Sequence, residues 1–291
     1  MYAIIGAAGK VGYATAQVLR QANVPVRAIL RDAAKATPLR EIGCEIAVAD
    51  VHNTSELASA IRNAEAVHVI IPPSPQHKDG AQDMRDIITS IIAALEQEKP
   101  NRILAISDYG SHVARDIGMP TVFRGLEERL RNLPGNKIIL RTAEHMQNWA
   151  RAIPAAMESG TFVSLHDPLD TPFPTISAPD LGKIAAEVLL RDAAGEKYDI
   201  VHAEGPRRYS ANDVAAALSD LSGRPIKAVA LPRSEWQTAI ERGASPSLAT
   251  LLVKANYAQN EAGVVDVEQG AGEVRYGKTE LIDALRPFVS P

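Results

Sequence analysis

The chain has 291 residues, of which 46% are hydrophobic and 23% are charged, and its formal net charge is −4. A chain of this length can bury a sizeable core, and its slightly acidic balance excludes the basic surface expected of a nucleic-acid-binding protein. Apolar segments are short and interrupted by charges, so we expect no membrane span, no secretory leader and a cytoplasmic location. The single cysteine, Cys44, excludes an internal disulfide and is expected to pack as a small hydrophobic residue.

Short β-branched segments alternate with longer amphipathic segments through the first half of the chain. The predicted strands are YAIIG, VRAIL, EIAVA, AVHVII, RILAIS and KIILR, and a helical pattern follows each of them. Strands that are apolar throughout belong to a parallel sheet with helices on both faces, and the regular crossovers imply right-handed connections. The sequence therefore predicts an α/β fold with a doubly wound parallel sheet of the Rossmann type.

The pattern becomes less regular after residue 153, where Pro154 follows. We predict an NAD(P)-binding Rossmann domain over residues 1–153 and a smaller, discontinuous substrate domain over residues 154–291. Two later segments, TPFPTIS at 171–177 and YDIVHA at 198–203, read as further strands. We expect both of them to rejoin the sheet, whereas the region beyond them alternates helices with turn residues.

The first predicted strand runs into IIGAAGKVGYATAQVL, which has glycines at positions 6, 9 and 12. In a strand, turn and helix unit, the first glycine allows the tight turn, the second lets the backbone approach a pyrophosphate, and the third packs the helix on the sheet. The free N–H groups and the positive dipole end of the following helix favour phosphate. A plain turn without a ligand is the alternative, and the position after the first strand of a βαβ series argues against it. The predicted cofactor contacts in this loop are Gly6, Ala8, Gly9, Lys10, Val11 and Gly12.

The second predicted strand ends in LRD, where folds of this kind bind the adenosine ribose. An acidic residue there accepts hydrogen bonds from the ribose hydroxyls of NAD, whereas arginine neutralises the 2′-phosphate of NADP. Arg31 precedes Asp32, and together with Lys10 it could form a two-cation clamp for that phosphate. We therefore expect NADPH as the preferred cofactor, with NAD as the alternative that Asp32 leaves open. A solvated Arg31 paired with a surface carboxylate is the structural alternative.

These segments, taken with VADVHNTSELASAI, VIIPPSP, ILAISDYGS, IILRTAEHMQNW and RYGKTELIDAL, resemble the NmrA-like family, an atypical branch of the short-chain dehydrogenase/reductases. The resemblance covers nearly the whole chain. It implies that Asp50 and Val51 meet the adenine, and that Ile71, Pro72 and Pro73 lie along the cofactor.

A departure from the wider superfamily concerns the residues that protonate the substrate. Typical members carry a Tyr-x-x-x-Lys pair, in which the lysine lowers the pKa of the tyrosine and the tyrosine protonates the carbonyl oxygen. Alignment of FRGLEERL with the Lys-x-x-Glu helix of the family instead puts Arg124 at the lysine position, Glu127 at the glutamate position and Pro120 where the tyrosine would stand. Arginine is no proton shuttle near pH 7, although it can hold a phosphate, a ribose or a developing oxyanion. Alcohol dehydrogenase chemistry is therefore disfavoured, and Arg124 is a candidate for cofactor binding or catalysis.

The same helix carries the charged segment GLEERLRN. We interpret it as a solvated helix face with supporting pairs such as Glu127 with Arg131, four residues apart.

Two functions fit a chain that lacks the tyrosine and lysine pair. In the first, NADPH passes a hydride to a quinone or similar small acceptor, whose reduced oxygens take a proton from water, from His112 or from Tyr109. Both residues lie in SDYGSH, which opens with Ser107 after the fifth strand, at the carboxyl edge where such sheets bind ligands. The resemblance supports this function, because a similar loop occurs in the family's NADPH-dependent quinone reductases. In the second, the protein is a non-catalytic dinucleotide sensor that acts through a protein partner, as the family's co-regulators do.

A third hypothesis is a structural subunit with a vestigial pocket. Candidate substrate-pocket residues are Tyr109, Phe123, Met146 and Trp149, and the last two, together with His145, follow the sixth strand at helical spacing and face either the pocket mouth or the core. His68 lies within an apolar strand and is expected to pack there. No cluster of cysteine, histidine and carboxylate residues has metal-ligand spacing, so we predict no metal site. The sequence leaves the acceptor and the oligomeric state open.

Overall fold

A computed structural model describes residues 1–71, 74–191 and 198–289 of the chain. Within these ranges the strands are β1 Tyr2–Ile5, β2 Val26–Leu30, β3 Glu45–Val48, β4 Ala66–Val69, β5 Arg102–Asp108, β6 Asn136–Thr142, β7 Glu144–His145, β8 Thr161–Ser164, β9 Thr175–Ile176, β10 Tyr198–Glu204, β11 Lys227–Ala230 and β12 Glu273–Tyr276.

The helices of the same ranges are α1 Lys10–Gln21, α2 Thr37–Glu41, α3 Thr54–Ile61, α4 Gly80–Glu98, α5 Met119–Arg131, α6 Ile153–Ser159, α7 Ala178–Leu190, α8 Ala211–Ser222, α9 Trp236–Glu241, α10 Pro246–Gln259 and α11 Leu281–Val289. Short 3₁₀ helices cover Ala33–Lys35, Met146–Arg151 and Arg233–Glu235. No helix in the described part of the chain is long and apolar enough to cross a membrane.

Eight strands form one sheet in the order β12-β10-β6-β5-β4-β1-β2-β3, and each neighbouring pair is parallel. The chain fills the sheet from β1 outward to β3 and then returns to add β4 on the other side of β1. This reversal leaves a crevice at the carboxyl ends of β1 and β4, which is where open α/β sheets bind ligands.

Helices cover the sheet on both faces, as the apolar strands predict. Side chains alternate across a strand, so Ile5 and Ala105 enter a core with α3, α4 and α5, whereas Ile4 and Leu104 enter a second core with α1, α2 and α7. A third core joins the 3₁₀ helix Met146–Arg151 to α6, α8 and α11. The prediction of a doubly wound Rossmann-type sheet is therefore confirmed.

The two later strands differ in where they pair. Tyr198–Glu204 lies beside Asn136–Thr142 in the large sheet. In contrast, the segment 171–177 contributes only Thr175–Ile176 as a strand, and this strand pairs with Glu144–His145 in a separate two-stranded sheet. The expectation that it rejoins the large sheet is wrong, because Thr175 and Ile176 pair in parallel with Glu144 and His145 instead.

His68 and Cys44 are packing residues, as predicted. His68 is 1% exposed in β4, and neither ring nitrogen has a hydrogen-bond partner among the described residues. Burial lowers its pKa to about 3, so the ring is neutral at pH 7. Cys44 is buried in the core beneath α1 and α2, and burial raises the pKa of its thiol.

Candidate dinucleotide and acceptor site

The glycine loop joins β1 to α1 at the point where the strand order reverses. Gly6 has a φ of +80°, a left-handed conformation that glycine adopts without strain. At Gly12 an added Cβ would lie 2.6 Å from the Gly6 carbonyl oxygen and 2.7 Å from the Ala7 Cα. Both positions therefore require glycine for the chain's own turn and for the close approach of α1.

Gly9 has neither of these constraints. Its backbone is extended, with φ −78° and ψ 165°, and an added Cβ would make only an ordinary contact, 3.4 Å from the Gly6 oxygen. The residue is exposed and precedes α1 without a side-chain cap. The N–H groups of a first helical turn have no acceptor within the helix. Because Gly9 has no side chain, the backbone beside this turn leaves room for the oxygens of a pyrophosphate. The loop therefore fits a dinucleotide.

The end of β2 presents a cation rather than a carboxylate. Asp32 caps the 3₁₀ helix that follows, because its Oδ1 accepts a hydrogen bond from the Ala34 N–H at 2.9 Å. Arg31 is exposed. Hydrogen bonds from His52 lower the pKa of Asp50, and the charge of Arg31 lowers it further. The guanidinium therefore lies near Asp50, beyond the end of β3, and its role toward the 2′-phosphate stays a prediction.

Lys10 has different neighbours from Arg31. Its ammonium group lies 4.6 Å from the centre of the Phe288 ring in α11. Its charge also contributes, after burial, to the lowered pKa of His145. Lys10 thus extends toward the C-terminal helix and β7, and the two-cation clamp stays a prediction.

Asp50, Val51 and Ile71, which are predicted to follow the cofactor, come directly after the carboxyl ends of β3 and β4, at the same edge of the sheet as the glycine loop. Asp50 has a half-exposed side chain, and its N–H donates to the Glu56 Oε2 at 2.9 Å. Val51 and Ile71 are buried, so each can offer only part of its surface to a ligand. Pro72 and Pro73 lie outside the described residues.

Ser107 and Tyr109 are interior residues. The Ser107 hydroxyl donates to the Glu127 Oε1 at 2.5 Å and lies 3.0 Å from the Ser111 hydroxyl. Tyr109 is 1% exposed, its hydroxyl has no hydrogen-bond partner in the described part of the chain, and burial raises its pKa. Its ring packs edge-on against His202, with the ring centres 5.7 Å apart. The structure therefore places Tyr109 in the core rather than in an open pocket where it could protonate a substrate.

Glu127 is buried and pairs with Arg141 of β6. The guanidinium donates from Nε at 2.9 Å to Oε1 and from Nη2 at 2.8 Å to Oε2, and it also binds Glu268. Two parallel charge-assisted hydrogen bonds make a strong and directional pair. The interpretation of Glu127 as a solvated partner of Arg131 is wrong, because this face of α5 packs on the sheet, and Arg131 lies over the Tyr198 ring instead.

His112 and Arg124 flank the loop after β5. His112 is half-buried, burial lowers its pKa, and its Nδ1 has no hydrogen-bond partner among residues 1–71, 74–191 and 198–289. A neutral ring is therefore expected at pH 7. Arg124 donates to the Val113 carbonyl and lies 3.7 Å from the Glu128 carboxylate. Arg124 thus anchors the loop that follows β5, and its role toward a cofactor stays a prediction.

The other predicted pocket residues are packed in cores. Met146 is fully buried and Trp149 is 8% exposed, and both belong to the third core. Phe123 is partly buried against the core of α4 and α5. Met146 and Trp149 lie in a 3₁₀ helix rather than an α-helix. The structure thus decides between the two alternatives for these residues in favour of the core.

A pair of carboxyl groups, Asp108 and Glu144, was not predicted from the sequence. Asp108 ends β5 and pairs in register with Thr142, two residues before Glu144. Burial, and then the negative charge of Glu144, raise the pKa of Asp108 to about 8. Burial also disfavours the charged form of Glu144, but His166 and Gln259 outweigh that effect and lower its pKa. An acidic residue that ends a strand at the carboxyl edge was the signal that could have identified Asp108.

His145 completes this edge of the site. Burial lowers its pKa to about 4, and its Nε2 is buried without a hydrogen-bond partner in the described ranges. The charge of Lys10, at the start of α1, adds to this pKa shift, so the segment after β6 lies within electrostatic range of the glycine loop. The arrangement can hold phosphates at one end and offer a protonated carboxyl group at the other.

Comparisons with known proteins identify the family of the chain. The model of the NmrA-like family matches residues 2–277. An NAD(P)H azoreductase of Xenophilus azovorans is 25% identical over 254 residues, which cover 87% of this chain and 85% of the relative.

Two solved structures share the fold. An NADPH-dependent quinone oxidoreductase from Escherichia coli, complexed with NADPH, superposes with a TM-score of 0.75 at 23% identity and 91% coverage of both chains. The triphenylmethane reductase of Citrobacter sp., complexed with NADP(H), gives a TM-score of 0.76 at 19% identity and 99% coverage of both chains. The family match spans nearly the whole chain and confirms the resemblance inferred from the sequence. This chain belongs to the NmrA-like family.

Proposed function

We propose that the protein is an NADPH-dependent oxidoreductase that passes a hydride to a quinone or a similar small acceptor. The observation that carries this proposal is the glycine at position 9. Packing within the chain does not require a glycine there, and the residue lies where the strand order reverses. Relatives named as an NAD(P)H azoreductase and an NADPH-dependent quinone oxidoreductase support the same chemistry.

In this proposal the chain's residues bind and orient the reactants. The loop from Gly6 to Gly12 holds the pyrophosphate, Arg31 binds the 2′-phosphate, and Asp50 with Val51 contacts the adenine. NADPH supplies the hydride when it is bound. Holding donor and acceptor face to face accounts for much of the acceleration expected of such a site.

A dinucleotide sensor is the second candidate, and one observation favours it. Pro120 is buried in the first turn of α5, at the position where the sequence alignment places the tyrosine of typical superfamily members. A sensor needs no proton donor there. It would bind NADPH and report the bound state through a protein partner.

An assay of NADPH oxidation against a panel of quinones separates the candidates. We expect saturable oxidation with quinones and little or none with simple aliphatic ketones, which need strong protonation as the hydride arrives. Tight NADPH binding without turnover of any acceptor would favour the sensor. Absence of dinucleotide binding would contradict both functions and favour a structural subunit.

Arg31→Ala tests the choice between NADPH and NADH. Loss of a charge-assisted contact worth roughly 1.5–3 kcal/mol should weaken NADPH binding by about tenfold or more and leave NADH binding unchanged. Calorimetric titration of both cofactors measures the two affinities. Lys35→Ala removes a nearby exposed cation and serves as the matched control. An equal loss for both cofactors, or none, would contradict the assigned role of Arg31.

A further inference from the structure

We infer that Asp108 is the proton donor to the reduced acceptor. This inference rests on the proposed function and adds to it the residue that completes the reaction after hydride transfer.

Asp108 differs in position from the other side chains near the end of β5 that carry an exchangeable proton. The residue is the last of β5, at the carboxyl edge of the sheet, and it is partly exposed. Tyr109 is sealed in the core, and the Ser107 hydroxyl is engaged by Glu127. His112 is neutral near pH 7 because burial lowers its pKa. Of these four side chains, Asp108 alone combines a dissociable proton with a partly exposed position at the carboxyl edge of the sheet.

The charges around Asp108 keep its carboxyl group protonated. Burial raises its pKa most, the charges of Glu144 in β7 and Glu127 in α5 raise it further, and the backbone N–H of Tyr109 opposes them. Glu144 itself stays ionised, since the Gln259 amide donates to its Oε2 at 3.2 Å and the His166 ring lies 3.7 Å from the same oxygen. Two neighbouring carboxyl groups with pKa values shifted in opposite directions are the pattern of an acid beside a charged partner.

The proposed step balances in atoms and electrons. The quinone accepts a hydride, with its two electrons, and becomes a hydroquinone anion, while NADPH is oxidised to NADP⁺. The O–H bond of Asp108 breaks, and its proton forms the new O–H bond on the hydroquinone oxygen. The Asp108 carboxylate then takes a proton from water through its exposed side.

Turnover of two acceptors by Asp108→Asn distinguishes proton delivery from any other role of the residue. A quinone needs both a hydride and a proton, whereas a cationic triphenylmethane dye becomes neutral with the hydride alone. We expect the variant to lower kcat with quinone by about 100-fold, a typical contribution of general acid catalysis, and to leave dye reduction and NADPH affinity close to wild type. Asp220→Asn, on the exposed face of α8, is the matched control and should behave as wild type with both acceptors.

The pH dependence of quinone turnover distinguishes proton donation by Asp108 from a purely structural role. Asp108 donates only in its protonated form, so quinone turnover should be retained below pH 8 and should fall as the pH rises through the pKa of about 8. Glu144→Gln removes a charge that raises this pKa, and it should shift the alkaline limb to lower pH. Dye reduction should lack this limb.

A measurement without cofactor tests the acid directly. In protein labelled with ¹³C at aspartate carboxyl groups, one resonance should titrate near pH 8 and be absent from Asp108→Asn. Titration of Asp108 near its ordinary value, or equal losses of quinone and dye turnover in the variant, would overturn the inference. Failure of the proposed function is distinct from this, because wild-type protein would then oxidise NADPH with neither acceptor.

Discussion

Replacement of Arg141 by alanine is expected to lower the free energy of unfolding by about 3–5 kcal/mol. Arg141 and Glu127 are each about 5% exposed or less, and their two hydrogen bonds of 2.8 and 2.9 Å satisfy both carboxylate oxygens. Without the guanidinium, the Glu127 carboxylate stays buried next to Ser107 with no countercharge. Chemical denaturation at pH 7 measures the loss.

Two further variants show whether the unpaired charge causes that loss. Arg131→Ala removes an exposed arginine from α5, the helix that carries Glu127. It should change the free energy of unfolding by less than about 1 kcal/mol. Adding Glu127→Gln to Arg141→Ala removes the stranded charge and should recover part of the stability. If Arg141→Ala is as stable as Arg131→Ala, the pair contributes nothing to the fold.

Substitution of Gly9 by valine is expected to weaken NADPH binding by at least about 100-fold, equivalent to roughly 2.7 kcal/mol, while the chain stays folded. An added Cβ at Gly9 meets only the Gly6 oxygen at 3.4 Å, so the apo fold can accept it. A β-branched side chain would instead occupy the space that the pyrophosphate needs beside the first turn of α1. Fluorescence titration with NADPH and thermal unfolding measure the two effects separately.

Two other glycines serve as controls for the Gly9 variant. Gly12→Val should destabilise the fold itself, because its Cβ would lie 2.6 Å from a carbonyl oxygen. Gly243→Val has open space around its Cβ and should leave both binding and stability near wild type. Normal NADPH affinity in Gly9→Val would show that the glycine segment is only a turn.

The sequence by itself determined the Rossmann-type sheet and the glycine loop. Apolar strands that alternate with amphipathic helices predict a parallel sheet with two covered faces, and the structure places Ile4 and Ile5 in opposite cores. The constraints at Gly6 and Gly12 are likewise local, because Gly6 has a positive φ and an added Cβ at Gly12 would meet Gly6 and Ala7 of the same turn. Features fixed by near neighbours along the chain can be inferred from the chain alone.

Only the tertiary structure decided which charged groups meet. Arg141 lies 14 residues from Glu127 on a strand, and the packing of α5 on the sheet turns the glutamate inward. Glu144 comes to face Asp108 because β5 and β6 run in parallel and end at the same edge. Strand register and helix rotation are set by the whole core, so spacing along the sequence could not predict these contacts. The same physical reason buries Tyr109, Met146 and Trp149, and it leaves Asp108 partly exposed at the end of β5.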